Sequence, residues 1–385
     1  MFLSVASNAA IPYRYLTRHM GIFGATGTGK TTTLGTIAER TPCPVLILDA
    51  KGDLESLQTS IMRPRMSISD IGPDLIARAL DLSEAQSGAL SVAMAWAEDT
   101  GRRVNTLADL RALLNEALDT DLSRDYGLIS KVSISATQRA LLRLERGAPW
   151  AFGQTKHDPR DTQGRVVYAC AGLTALPGLY GAFVAHVLER LYSGLGEIGD
   201  VGAPGLLVLI DEAHLVFDGA TPAVIQRIEQ ITRLIRSKGV GLIYVTQAPS
   251  DLPSVIAGQL ATRIQHALRG ATGQHLKALR AAAETMPGNI AAGDIMALGT
   301  GEAIVSIPDA NGVPTPGRKV KINRGAVPLH PIDWQEAPEP VRPDPIGILP
   351  ESDFEVTAPP VRKRTSPWLW VWCAVGALYL LTLLT

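Results

Sequence analysis

Apolar residues in this chain gather in short uninterrupted runs separated by longer amphipathic stretches. The runs at residues 19–23, 44–48, 165–171, 206–210, 239–246 and 261–267 have the length and branched-residue content of buried strands. Between them, apolar positions three and four apart predict helices over residues 30–40, 180–193, 222–237 and 274–284. Residues 301–307 and 318–322 read as a closing pair of strands. Such alternation implies an α/β fold with a mostly parallel sheet covered on both faces.

Residues 54–147 interrupt the alternation. Leu107, Leu110, Leu113, Leu114 and Leu118 keep helical spacing, and residues 136–145 set Gln138, Arg139, Arg143 and Glu145 around a leucine face. The expected organisation is a core of residues 1–53 and 148–325, with residues 54–147 inserted as a helical unit. From 326 to 367 prolines become dense and periodicity fades, which reads as a semi-rigid linker. Residues 368–385 then carry no charge at all, and as a helix they would reach about 27 Å, enough for a hydrocarbon core. Arg362, Lys363 and Arg364 precede that run, and Trp368, Trp370 and Trp372 cluster at its start. A basic flank with an aromatic belt marks a cytoplasmic entry, so a single-pass tail anchor in the inner (cytoplasmic) membrane is expected. The N-terminus lacks a basic region followed by an apolar run, which argues against a signal peptide and keeps the core in the cytoplasm.

Charge narrows the partners. Lys and Arg total 36 against 37 Asp and Glu, so the chain is not one that coats nucleic acid, and any DNA contact must be local. Cys43, Cys170 and Cys373 are far apart with no metal-ligand spacing, and read as small apolar residues in a reducing compartment.

The chemistry sits at strand ends. Gly24, Ala25, Thr26, Gly27, Thr28, Gly29, Lys30 and Thr31 match the phosphate-binding pattern G-x-x-x-x-G-K-[ST] between a strand and a helix. Backbone N–H groups there would cradle phosphate oxygens, Lys30 would contact the outer phosphates, and the Thr31 hydroxyl would ligate Mg²⁺. ATP and Mg²⁺ are therefore the expected ligands. The buried run 206–210 delivers Asp211 and Glu212 at its C-terminal end, where open α/β sheets bind ligands. Asp211 would hold Mg²⁺ and Glu212 would polarise the attacking water. Gln247 follows the strand 239–246 directly, placed to bond the γ-phosphate and the lytic water.

Together GATGTGKT at 24–31, LDAKGD at 48–53, IDEAH at 210–214, RLIRSKGVGLIYVTQ at 233–247 and GQLATRIQHALR at 258–269 resemble the HerA–FtsK superfamily of pumping ATPases. ISATQRALLRLE at 134–145 and LKALRAAAET at 276–285 bring the chain nearer the HerA-like, YjgR-type branch. The resemblance spans residues 14–325. It implies a RecA-like ATPase, a homohexameric ring, and DNA driven through a central pore. It also implies a trans-acting arginine finger, matched by Arg236, with Arg263 as the competing position. Some twenty residues precede the loop, too few for the barrel by which HerA proper docks a nuclease, so that partner is not expected. Arg269, Lys277 and Arg280, and Arg318, Lys319 and Lys321, are the basic clusters that could meet backbone phosphate. A protein or phage filament is the alternative client, in a membrane-anchored assembly or secretion ATPase.

Overall fold

The computed structural model describes residues 2–6, 9–127, 129–176, 178–199, 201–270 and 272–326. The linker and the apolar tail expected at 326–385 lie outside these, apart from Ala326. Among the described residues no helix is long and apolar enough to cross a membrane.

Eleven strands form two sheets among the described residues. β1 (Phe2–Ala6) and β2 (Ala9–Pro12) make an antiparallel hairpin. The main sheet contains β3 (Met20–Phe23), β4 (Val45–Asp49), β5 (Ser60–Met62), β6 (Arg165–Ala169), β7 (Leu206–Ile210), β8 (Val240–Thr246), β9 (Thr262–His266), β10 (Glu302–Ser306) and β11 (Arg318–Lys321). Its spatial order is β11-β10-β9-β3-β8-β7-β4-β6-β5. All pairings are parallel except those of β10 with β9 and with β11.

The central strands are continuous apolar runs because both faces are covered, and every residue of β4, β7 and β8 is buried. Side chains alternate between faces. Val45, Ile47, Leu207, Leu209, Ile243 and Val245 pack with Leu34 and Ile37 of the helix Lys30–Arg40, and with Leu3, Val5 and Ile11 of the hairpin. Leu46, Leu48, Val208, Ile210, Leu242 and Tyr244 share the other cluster with Leu188 of the helix Leu179–Gly194 and Ile228 of the helix Pro222–Leu234.

On that second face lie the helices Ile68–Leu80, Glu84–Asp99, Leu107–Asp119 and Lys131–Gly147. Their buried leucines are those of the periodic sequence, including Leu110, Leu113, Leu114, Leu141 and Leu144. Thr106 starts one of them with a capping box, its hydroxyl accepting from Asp109 N–H while Asp109 accepts from Thr106 N–H. Arg111 clamps Glu145 across two of them.

The helices begin later than the sequence suggests. Residues 60–62, expected within the inserted helical unit, form β5 and pair with β6 at the sheet edge. Three residues followed by Arg63 and Pro64 offer no periodicity to read. The last turn of the helix expected over 222–237 tightens into a 3₁₀ segment, Ile235–Lys238, closed by Gly239 at φ 71°.

Candidate nucleotide and hydrolytic site

β3 lies inside the sheet between β9 and β8, and the helix Lys30–Arg40 carries the chain from its end to β4. The loop between β3 and that helix therefore opens at the carboxyl end of the parallel strands. Gly24 has φ 152°, and a Cβ there would stand 2.5 Å from His266 Cβ, so only glycine fits. Gly29 has φ 116° and would place a Cβ 3.2 Å from Gly301 Cα. Gly24 N–H donates to Gln247 O at 2.8 Å, and Ala25 N–H donates to Ala267 O at 2.8 Å, which pins the loop to the strands on either side. Thr26 and Gly27 form its exposed crest, and Thr28 is buried with its hydroxyl on Ala25 O at 2.7 Å.

Lys30 is the first residue of the helix and is buried, its ammonium donating to Gly24 O at 2.6 Å and Ala25 O at 3.2 Å. Burial lowers its pKa, while Glu212 and Asp211 act to raise it. Those two carboxylates thus belong to the same electrostatic neighbourhood as the loop. Thr31 is half-buried in the first turn of the helix.

Asp211 and Glu212 leave the end of β7, which lies between β8 and β4. Asp211 is 7% exposed and has one carboxylate oxygen, Oδ2, buried without a partner. Burial first, then the charge of Glu212, pushes its pKa up to about 7. Oxygens of Asp49, Asp53 and Asp211 lie within 4.8 Å of one another. An orphaned buried oxygen among crowded carboxylates suits a hard divalent cation. Asp49 itself is occupied, accepting N–H bonds from Lys51, Gly52 and Leu54 at 3.1, 2.8 and 2.9 Å. The acid cluster that includes Asp211 therefore fits a divalent cation such as Mg²⁺, and Thr31, the other residue expected to hold it, stands in the first turn of the helix that follows the loop.

Glu212 adopts φ 45°, the left-handed region that costs a non-glycine residue about 1 kcal/mol or more. Its carboxylate ion-pairs with Lys51, and its other oxygen lies 3.1 Å from His214 Nδ1. Burial would raise the Glu212 pKa, but His214 and Lys51 together hold it down to about 2. Behind the pair, the buried Tyr180 hydroxyl donates to Asp211 O at 2.6 Å and reaches Leu48 O at 3.3 Å. Gln247 is exposed at the end of β8. It borders a cavity of about 490 Å³ that is also lined by Ala25, Asp251, Arg269, His275 and Lys277.

The two arginines stand apart from this cluster. Arg236 is exposed in the 3₁₀ segment before β8, at the opposite end of that strand from Gln247. Its position offers it outward and away from its own loop. Arg263 is half-buried and donates to Leu260 O at 3.3 Å, Ala257 O at 3.1 Å and Thr285 O. That guanidinium is committed to backbone carbonyls of its own chain, including the last residue of the helix Gly273–Thr285.

Sequence reasoning did not single out Lys51, Asp53, Tyr180, His214 or His266 as site residues. LDAKGD at the end of an apolar strand was a usable signal for Lys51 and Asp53, since β4 neighbours β7. Tyr180 and His266 reach the site from a helix and from β9, with no local pattern to mark them.

A phosphate-cradling loop after one parallel strand, facing an acid pair at the end of another, defines a P-loop NTPase. The chain belongs to the Helicase HerA-like C-terminal family, whose pattern it matches over residues 4–62 and 58–356. It is 24% identical over 326 residues to the DNA double-strand break repair helicase HerA of Sulfolobus acidocaldarius, covering 78% of this chain and 65% of that protein. To the same-named helicase of Sulfurisphaera tokodaii it is 26% identical over 315 residues, covering 75% of this chain and 62% of that protein. The chain thus spans somewhat less than two thirds of either helicase. Among solved structures it resembles the bacterial conjugative coupling protein TrwB, with TM-score 0.61, 15% identity, and coverage of 85% of this chain and 89% of that one. VirB4 of Thermoanaerobacter pseudethanolicus gives TM-score 0.59 at 16% identity, covering 80% of this chain and 90% of that one. At these identities the likeness is one of fold.

Proposed function

We propose that this protein is an ATP-hydrolysing motor that translocates DNA, acting as a homohexameric ring. The observation that carries the reading is the placement of the glycine loop after β3 and of Asp211 and Glu212 after β7 at the same carboxyl edge of the parallel sheet, with β8 alone between the two strands. Loop N–H groups and Lys30 bind the phosphate chain, and bound Mg²⁺ supplies Lewis-acid neutralisation of the charge on the phosphate oxygens. Glu212 takes a proton from water as the water oxygen bonds the γ-phosphorus and the β–γ bridge bond breaks, releasing ADP and phosphate. Gln247 orients that water. Arg236, remote from its own loop, serves the site of a neighbouring subunit by neutralising the γ-phosphate.

The names of the curated relatives support DNA as the client. So does the position of Arg269 and Lys277, which line the cavity beside Gln247. Backbone phosphate held there would lie next to the residue that reads the nucleotide. The apolar run at 368–385 is proposed to tether the ring to the inner membrane with the core in the cytoplasm, a reading that rests on sequence alone. ATP turnover measured with duplex DNA, single-stranded DNA and no DNA at several salt concentrations tests the proposal. Turnover should rise with DNA and the rise should fade with salt. Indifference to every form of DNA at low salt would transfer the motor to a protein or filament client.

A further inference from the structure

The residue proposed to activate water is not free to do so in this structure. Glu212 is held from both sides, by the Lys51 ammonium on one carboxylate oxygen and by His214 Nδ1 at 3.1 Å on the other. Lys51 does not arrive there by chance of rotamer. Its loop is fixed by Asp49, whose buried carboxylate gathers the N–H groups of Lys51, Gly52 and Leu54. Lys51 therefore sits on a rigid turn at the end of β4, aimed at the neighbouring strand end. The Glu212 backbone is held at φ 45° between two tied neighbours, Asp211 N–H on Leu48 O and Ala213 N–H on Val245 O, so any exchange of partners lies in the side chains. His214 is in turn shared with Thr246 Oγ1 at 3.4 Å, and Thr246 bonds Asp251 Oδ2 at 3.1 Å. The parked carboxylate is thereby connected to the loop that carries Gln247.

We propose that Lys51 is a positioning residue that parks Glu212 away from the lytic water until the γ-phosphate draws the ammonium off it. The proposal rests on the reading of Glu212 as the water-activating residue. A phosphate bearing multiple negative charges outcompetes a single carboxylate for an ammonium within reach. Nucleotide alone makes this exchange only in part, and a client acting through the Gln247 loop completes it, so client-free hydrolysis stays low.

The test compares wild type with Lys51→Met, Lys51→Arg, Glu212→Gln and the double variant Lys51→Met/Glu212→Gln, all as the full chain. Client-free ATP turnover and fluorescent-nucleotide affinity are the readouts. Lys51→Met should raise basal kcat by roughly three- to fivefold, the range a partly exposed ion pair carries. Its affinity for ATP should fall severalfold because the γ-phosphate loses that ammonium, its affinity for ADP should stay within about twofold, and the DNA stimulation ratio should shrink as basal turnover rises. Lys51→Arg, which keeps the pair, should restore the low basal rate. The double variant should show no gain over Glu212→Gln. A basal kcat of Lys51→Met equal to or below wild type, with wild type active, overturns the parking role. A wild type without any ATP turnover instead overturns the hydrolytic reading on which it stands.

Discussion

Replacing Glu212 by Gln keeps the shape of the side chain and removes the proton acceptor. The residue is only 5% exposed, so little bulk water is available to substitute for it. A positioned general base contributes about 10²- to 10⁴-fold, equivalent to about 3–5 kcal/mol of barrier. Nucleotide binding draws on the loop N–H groups and Lys30, none of which the substitution touches, so affinity should hold or rise slightly as one negative charge leaves the phosphate's surroundings. Stability is set by two opposed changes. The pair with Lys51 is lost, and with Lys51 40% exposed it is worth at most about 1 kcal/mol. Against this, Asp211 no longer faces a second carboxylate, the second cause after burial of its raised pKa. Single-turnover hydrolysis with protein in excess, fluorescent-nucleotide titration and thermal melting separate the three quantities. A rate loss under about tenfold, or a parallel collapse of nucleotide affinity, would refute the assignment of Glu212.

Tyr180→Phe keeps the buried ring but strands the Asp211 carbonyl. A loss of about 1–2 kcal/mol in denaturant unfolding is expected, and no loss would deny the bond its role. His19, His186 and His266 are each lowered to about 4, chiefly by burial. They stay neutral in the fold while the unfolded chain protonates near 6.5. Their stabilisation is full above about 6.5 and fades as pH falls toward 4, costing about 2 kcal/mol each near pH 5. Melting temperatures at about pH 7.5 and pH 5 should therefore differ clearly, and a flat profile would count against neutral buried imidazoles. Arg263→Ala should cost about 2 kcal/mol or more of stability, since three carbonyls lose a charged donor. Arg236→Ala should leave melting unchanged yet stop turnover, and mixing it with Lys30→Ala subunits should restore part of the rate if the arginine acts in trans.

The helix Lys30–Arg40 and β7 were readable to the residue because chemistry punctuates them. A glycine loop opens the first, and Asp211 and Glu212 close the second. The hairpin at the N-terminus was not readable in the same way. Leu3 and Val5 alternate with Ser4 over too short a span, and what buries them is the helix Lys30–Arg40 and the partnership of Ala6 with Ile322. β5 shares that fate, being three residues whose only warrant is an open edge on β6. In the site, Lys30, Asp211, Glu212 and Gln247 announce themselves by motif and by position after an apolar run. The contact of Lys51 with Glu212 depends on β4 and β7 being neighbours, and adjacency of strands so far apart in the chain is a property of topology, not of local pattern.

That adjacency is also what makes the site mechanical. β3, β8, β7 and β4 lie side by side, and their ends are stitched by single backbone bonds. Gly24 N–H is tied to Gln247 O, Ala213 N–H to Val245 O, and Asp211 N–H to Leu48 O, at 2.8, 2.8 and 3.2 Å. The glycine loop is thus bonded directly to the end of β8 as well as to its own Lys30 ammonium. From there two routes diverge. One runs through Thr246 and His214 to the carboxylate of Glu212. The other runs through Gln247 into the cavity bearing Arg269 and Lys277. On the function proposed above, hydrolysis and client grip would share one lever, the end of β8, so a force on the client should alter the geometry of water activation just as nucleotide alters the grip.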